Sequence, residues 1–300
     1  MARKGPESLG RFAAIVALLT SITAFFSACA GVPVAKPSPE SIVERLGSGA
    51  AVYAVCEASD ILPILEEAIP QLRGDGRFGD LITKTRSAAI ALFPKSGDVR
   101  FRLVAIGDYP QFQAWLSLSF SRDWKRIDGA KPYWRSKNGL SLAFDSDGAV
   151  VVSDASPWAE SGGPTIPASF YLTAADSSLR AWIPEPAAAF SRLLGPGGDS
   201  IRLPVSELVL SLKRVDSLYS GEFIASAPGE SEVRALSAIL RFARNLIRSD
   251  DPDPRMKFAG KLLRSTSSIS GNCLTYSIMN LQTSELASLL PTADAALLYP

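Results

Sequence analysis

The stretch RDWKRIDGAKPYWRSK, Arg122 to Lys137, sets six cations against Asp123 and Asp128 and interleaves them with Trp124, Tyr133 and Trp134. Guanidinium and ammonium groups beside aromatic rings hold anions by charge and flat groups by stacking. The mixture therefore suits anionic sugars, lipid headgroups or single-stranded nucleic acid. Arg122, Trp124, Lys125, Arg126, Lys131 and Trp134 are the candidate contacts to such an anionic ligand. The alternative is a hairpin whose rings pack inward while Lys and Arg stems cover them and keep their charges in water.

Other motifs carry less chemistry. DSDG, Asp145 to Gly148, spaces oxygens as a calcium loop begins, but the rest of that loop is absent and the segment falls where a hairpin must turn. GPGGDS, Gly195 to Ser200, follows a helical pattern and so has no helix N-terminus to offer a phosphate. SDDPDPR, Ser249 to Arg255, gathers three aspartates around two prolines and reads as an exposed loop. The chain has no histidine, which removes Ser-His-Asp and Cys-His catalysis and the commonest metal ligand. Cys56 and Cys273 stand too far apart for a CxxC pair; they are either a disulfide or, the simpler reading, two separate thiols. No catalytic residue, metal or cofactor is expected.

The N-terminus explains the remaining cysteine. Arg3, Lys4 and Arg11 precede fifteen mostly apolar residues, Phe12 to Phe26, and small residues then lead into Cys29. That is a signal peptide's charge, apolar stretch and cleavage site, over residues 1–28. A membrane-spanning helix needs about 20 apolar residues. Phe26-Ser27-Ala28-Cys29 resembles the lipobox of bacterial lipoproteins, in which the cysteine is acylated and becomes the first mature residue. Phe26 in place of the usual leucine looks like the looser spirochaete form. The other reading is an ordinary secretory cut near Ala28 or Ala30. The resemblance implies an exported protein held by several acyl chains to a bacterial membrane, facing periplasm or cell surface. One such chain binds only marginally, whereas two or more hold stably. Residues 29–47, with Pro33, Pro37 and Pro39, then read as a tether.

The body is near neutral: removing residues 1–28 takes the net charge from +1 to −1. Nucleic acid is accordingly not expected as a partner. Apolar runs and turn signals predict strands at 51–56, 88–93 and 100–106 and helices after Ser59 and Asp108, the second with Phe112, Trp115 and Leu116 on one face. Asn138-Gly139 and Asp147-Gly148 predict hairpins. After ESGGPTIPAS, Glu160 to Ser169, the order restarts. SFYLTAAD reads as a strand, followed by a helix carrying Leu179, Trp182, Ile183 and Phe190, strands at 207–213 and 218–225, an amphipathic helix with Val233, Leu236 and Leu240, a hairpin at Gly271-Asn272 and a short terminal helix.

These readings give an α+β fold of two similar lobes, 48–158 and 169–300, joined by a linker at 159–168. Each lobe is strand-helix-strand-strand-helix-hairpin, with mainly antiparallel sheets and helices packed on one face. Offsets of 118, 120 and 132 residues align Val52-Tyr53 with Phe170-Tyr171, Leu103 with Phe223, Leu116 with Leu236 and Gly139 with Gly271, as an internal repeat would. The order resembles uncharacterised two-repeat envelope proteins. The function expected is non-catalytic binding of an envelope protein or anionic envelope polymer at the membrane. The alternatives are a carrier of an apolar ligand between the lobes and, third, a hydrolase that works without histidine. Cys29→Ser should leave unprocessed precursor and abolish labelling with a fatty-acid analogue; normal processing with the label retained on the variant rules the anchor out.

Overall fold

Period-two runs fill the middle of the chain, and in the computed structural model they are strands of one twelve-stranded antiparallel sheet. The structure describes residues 39–69, 82–95, 98–145, 147–158, 163–167, 170, 177–189, 204–247 and 252–289. The signal segment, Cys29, Gly195 to Ser200 and Ser249 to Asp251 lie outside them.

The strands are β1 (Val52–Glu57), β2 (Thr85–Lys95), β3 (Asp98–Gly107), β4 (Trp124–Ile127), β5 (Tyr133–Ser136), β6 (Ser141–Phe144), β7 (Val150–Ser153), β8 (Leu179–Ile183), β9 (Glu207–Val215), β10 (Leu218–Ser226), β11 (Thr266–Ser270) and β12 (Cys273–Gln282). The helices are α1 (Pro39–Glu44), α2 (Ala58–Ala68), α3 (Gln111–Phe120), α4 (Glu230–Leu246), α5 (Pro254–Arg264) and α6 (Thr283–Ala287). Strand order is β11-β12-β10-β9-β8-β1-β2-β3-β7-β6-β5-β4. From the centre outward one half reads β1-β2-β3-β7-β6 and the other β8-β9-β10-β12-β11, with the hairpin β4-β5 added to the first. The α+β class is as expected; in place of separate sheets, one sheet runs through both halves, and in place of helices on one face, α1 packs on one side and α2 to α6 on the other.

The seam is the antiparallel pairing of β1 with β8, Tyr53 opposite Trp182 through Cys56 opposite Leu179. There the Tyr53 and Trp182 rings stack at 5.3 Å. Alternation assigns every side chain to a face. On one face Tyr53, Val55, Ala89, Ala91, Val104, Val151 and Trp182 form a core closed by Ile42, Val43 and Leu46 of the α1 region. On the other, Phe101, Leu142, Val150 and Val152 meet α3, Leu212, Tyr219 and Ile278 meet α2 and α6, and Ala225, Leu274 and Tyr276 meet α4.

Several expectations need correction. Leu179–Ile183 is a strand, not part of a helix. Leu179, Ala181 and Ile183 alternate with Arg180 and Trp182 between two strands, and a helical turn begins only at Pro186, in the first-turn position where proline is tolerated. Of the strand expected at 169–176, only Phe170 is described, buried against the core. The partner of β1 is therefore β8, not Phe170-Tyr171, and the turn corresponding to Gly271 is Gly148, since β6-β7 and β11-β12 hold matching places. Of the segment 29–47, expected as a tether, the part from Pro39 on belongs to the folded body: Pro39 opens α1, and Ile42, Val43 and Leu46 are buried. Asp253 caps α5 by accepting from the Arg255 amide, with Pro254 in the first turn, so the acidic loop leads into a helix. Neither Ser59 nor Asp108 is an N-cap; those positions are Glu57 and Pro110.

Arg45 fastens α1 to the β6-β7 turn. Its guanidinium donates twice to the Asp147 carboxylate, one bond being 2.9 Å, and lies 3.4 Å from Asp145. The bond from Arg45 holds the Asp147 carboxyl below its ordinary value, against the opposing effect of burial. A depressed folded-state pKa adds stability above the unfolded value, near 3.9 for Asp, that disappears as pH falls through the lower native one. Asp147→Asn should therefore cost about 1–3 kcal/mol at pH 7, and the difference from wild type should shrink in acid. Thermal unfolding of both proteins between pH 7 and pH 2 measures this.

Candidate functional site

Helix α3, QFQAWLSLSF, contains no charged residue. Such a helix is apolar on more than one side, which ordinarily means burial on both. Here only Ala114 and Leu118 are buried, against Phe101, Leu142 and Val152. Phe112 and Phe120 remain 73% and 81% exposed, with Trp115 and Leu116 between them. Those four positions recur at helical spacing and form one outward stripe. The face expected from sequence is present, but it points away from the sheet.

Helix α4 repeats the arrangement in the other half. Glu230 and Glu232 sit in its first turn and Arg244 in its last, where they complement the helix dipole. Val233 and Leu236 are buried against β10 and β12. Ile239, Phe242 and Leu246 face outward, the last two 65% and 66% exposed, beside the exposed Arg241 and Arg244. Both helices lie on the same face of the sheet.

The basic-aromatic stretch forms β4, β5 and the turn between them, next to α3. Register sets Arg126 opposite Trp134, and Trp134 opposite Leu142. Trp134 is only 4% exposed and meets Trp115 and Phe144 edge-on, at 6.5 Å and 5.9 Å between ring centres. The inward-packed hairpin is thus correct for this ring. The Arg126 guanidinium lies 6.0 Å from the Trp134 ring and 3.0 Å from Asp128, and Lys131 lies 5.1 Å from the Trp158 ring. Between α3 and this hairpin is a cleft of about 440 Å³ lined by Phe112, Trp115, Arg126, Lys131, Trp134 and Trp158, among others.

Of the expected contacts, Arg126, Lys131 and Trp134 come together at this cleft. Arg122 is exposed outside its lining, Trp124 packs into the core beneath α3, and Lys125 falls on the opposite face of the sheet from Arg126. Sequence reasoning did not join Phe112, Trp115 or Trp158 to the cations, nor pick out the outer stripe of α4. The uncharged sequence of α3 was the available signal for the first two.

Cys56 and Cys273 are free thiols. β1 and β12 are four strand spacings apart, about 19 Å at about 4.8 Å each, far beyond the roughly 7 Å limit for bridged Cα atoms. Burial, reinforced by the neighbouring Glu57 charge, pushes the Cys56 thiol up to about 12. Among the described residues no cluster of His, Cys, Asp and Glu can hold a metal, and no helix is long and apolar enough to cross a membrane.

The overall fold is shared with TP0453, a Treponema protein. One crystal form gives a TM-score of 0.58 at 16% identity, covering 85% of this chain and 99% of that one. A second crystal form gives 0.54 at 18%, covering 88% and 100%. No family model matches the chain, and no curated protein matches it. The likeness to TP0453 establishes a common architecture.

Two measurements test the site's packing and the thiol. Trp134→Ala should cost about 3–5 kcal/mol of folding stability, as removal of a buried large ring does. Cys56 should resist alkylation at pH 7 in the folded protein and react at once in denaturant. Rapid labelling of native Cys56 contradicts the upward shift of its thiol.

Proposed function

We propose that this chain is a lipid-anchored, non-catalytic envelope protein that seats the helix-bearing face of its sheet on a membrane surface. The observation that carries the reading is the paired outward stripes, Phe112-Trp115-Leu116-Phe120 on α3 and Ile239-Phe242-Leu246 on α4. Apolar residues beside arginines on one exposed helix surface have the composition of helices that lie in the headgroup region. The cations suit an anionic lipid surface: Arg241 and Arg244 flank the second stripe, and Arg122, Arg126 and Lys131 lie near the first. An acyl group at Cys29, followed by a tether, keeps the body within reach of that surface. TP0453 is a treponemal envelope protein, and the shared fold is compatible with such a location.

A second reading, carriage of an apolar ligand, draws support from a cavity of about 360 Å³ beside the β1-β8 seam. It is lined by Tyr53, Trp182, Ala50, Pro184 and Ala189. Its two aromatic polar groups are engaged: the Tyr53 hydroxyl donates to the Gly47 carbonyl and accepts from the Ala50 amide, and the Trp182 indole donates to Glu207. Ser48, Thr165 and Glu185 supply the other polar side chains of a lining that is otherwise mainly apolar.

Flotation of the unlipidated mature chain with vesicles separates the two. Wild type should co-float with anionic vesicles, less so as salt rises, and the combined change of Phe112, Phe120, Phe242 and Leu246 to Ser should reduce co-flotation at least tenfold while leaving the melting temperature within a few degrees. Unchanged co-flotation removes the seating proposal. A stoichiometric lipid recovered by extraction from protein with all four changes favours the carrier.

A further inference from the structure

The cleft between α3 and the β4-β5 hairpin is lined by residues that carry donors without matching acceptors. The Trp134 indole N–H is buried and has no hydrogen-bond partner among the described residues. Lys131 has no carboxylate partner among them, its ammonium lying over the Trp158 ring. Arg126 is paired only with the largely exposed Asp128, an ion pair of the kind that holds weakly in water. Asp145, the one acidic residue of the lining, already faces Arg45 at 3.4 Å. A buried donor left unmade is expensive, at about 1–3 kcal/mol, and a site made of donors and cations selects a ligand that brings negative charge and acceptor oxygens.

The remaining lining is apolar, including Phe112, Trp115, Phe144 and Pro132. Phe112 and Trp115 also begin the exposed stripe that continues along α3 to Leu116 and Phe120. A free anion gains nothing from that track, whereas an amphiphile can set its charged head among the donors and its chains along the helix. The cleft, about 440 Å³, lies within the usual range of about 300–1,000 Å³ for ligand sites.

We infer that this cleft is a headgroup site for an anionic phospholipid, its phosphate held by the Trp134 indole N–H, Lys131 and Arg126, and its chains leaving along Phe112 and Trp115. This inference rests on the seating of α3 on a membrane and names the lipid chemistry read there.

The indole N–H signals of the five tryptophans give a direct readout. The full-length protein, ¹⁵N-labelled and held in a neutral detergent, is titrated with dihexanoylphosphatidylglycerol, dihexanoylphosphatidylcholine or inorganic phosphate. Trp134→Phe keeps an aromatic ring in the core, removes the donor and assigns the signal. The expected result is a saturable downfield shift of the Trp134 signal with the glycerol lipid. Apparent affinity should be at least tenfold weaker for the choline lipid and for phosphate alone. Lys131→Gln with Arg126→Gln should weaken the glycerol lipid about tenfold while the indole signal of Trp182, at the distant β1-β8 seam, stays unmoved. An equal response to inorganic phosphate overturns the lipid assignment, and no saturable response to any of the three overturns the site. Vesicle flotation distinguishes the two readings: co-flotation that survives without an indole response sinks the headgroup site alone, whereas an indole response without co-flotation sinks the seating.

Discussion

The pairing of β1 with β8 is the constraint on which the rest of the molecule depends. Four residue pairs join seven strands to five, and at one of them the stacked rings of Tyr53 and Trp182 lie on the face that α1 helps to cover. Without that ladder each half would present an unpaired apolar strand edge, the arrangement natural sheets avoid. Strand order reads outward as β1-β2-β3-β7-β6 on one side of the seam and β8-β9-β10-β12-β11 on the other, so α3 and α4 follow strands in matching places and both lie on one face. β3 and β10, beneath them, are five strand spacings apart, about 24 Å.

Much of this arrangement could be read from the residues. Alternation in β3, β9, β10 and β12 and the glycine turns gave the strands, and the 3.6-residue period gave α4, because each of these elements has one apolar and one polar side. β8 was misread because five residues with Trp182 and Ile183 adjacent fit a helical template as well as an alternating one. What settles it is the strand on either side, which lies far off in sequence. The repeat offsets went wrong for the same reason: Leu116 was aligned with Leu236, yet the first is exposed and the second buried.

The candidate site was legible in part. Composition drew attention to Arg122 to Lys137, and alternation along β4 and β5 then divides it, sending Lys125 to one face and Arg126 with Trp134 to the other. That division needs the register, which the sequence leaves open. The outward stripe of α3 was hidden for a different reason. Periodicity tells which residues share a side of a helix, but when both sides are apolar it does not tell which one the sheet will cover. Here the sheet took the smaller side, Ala114 and Leu118, and left the aromatic one out.

The seam also sets an order of events for a chain that is made N-terminus first. β1, β2 and β3 pair locally, so that ladder can close early. The far edge of β1 has no partner until Leu179–Ile183 emerges, long after the first half of the sheet is available. Contacts between residues so distant in sequence carry a loop-closure cost and form slowly. A half-emerged molecule therefore exposes an open apolar edge, a hazard for association with its own copies. Completion of the second half removes that hazard, so truncation anywhere before β8 should harm solubility out of proportion to the residues lost.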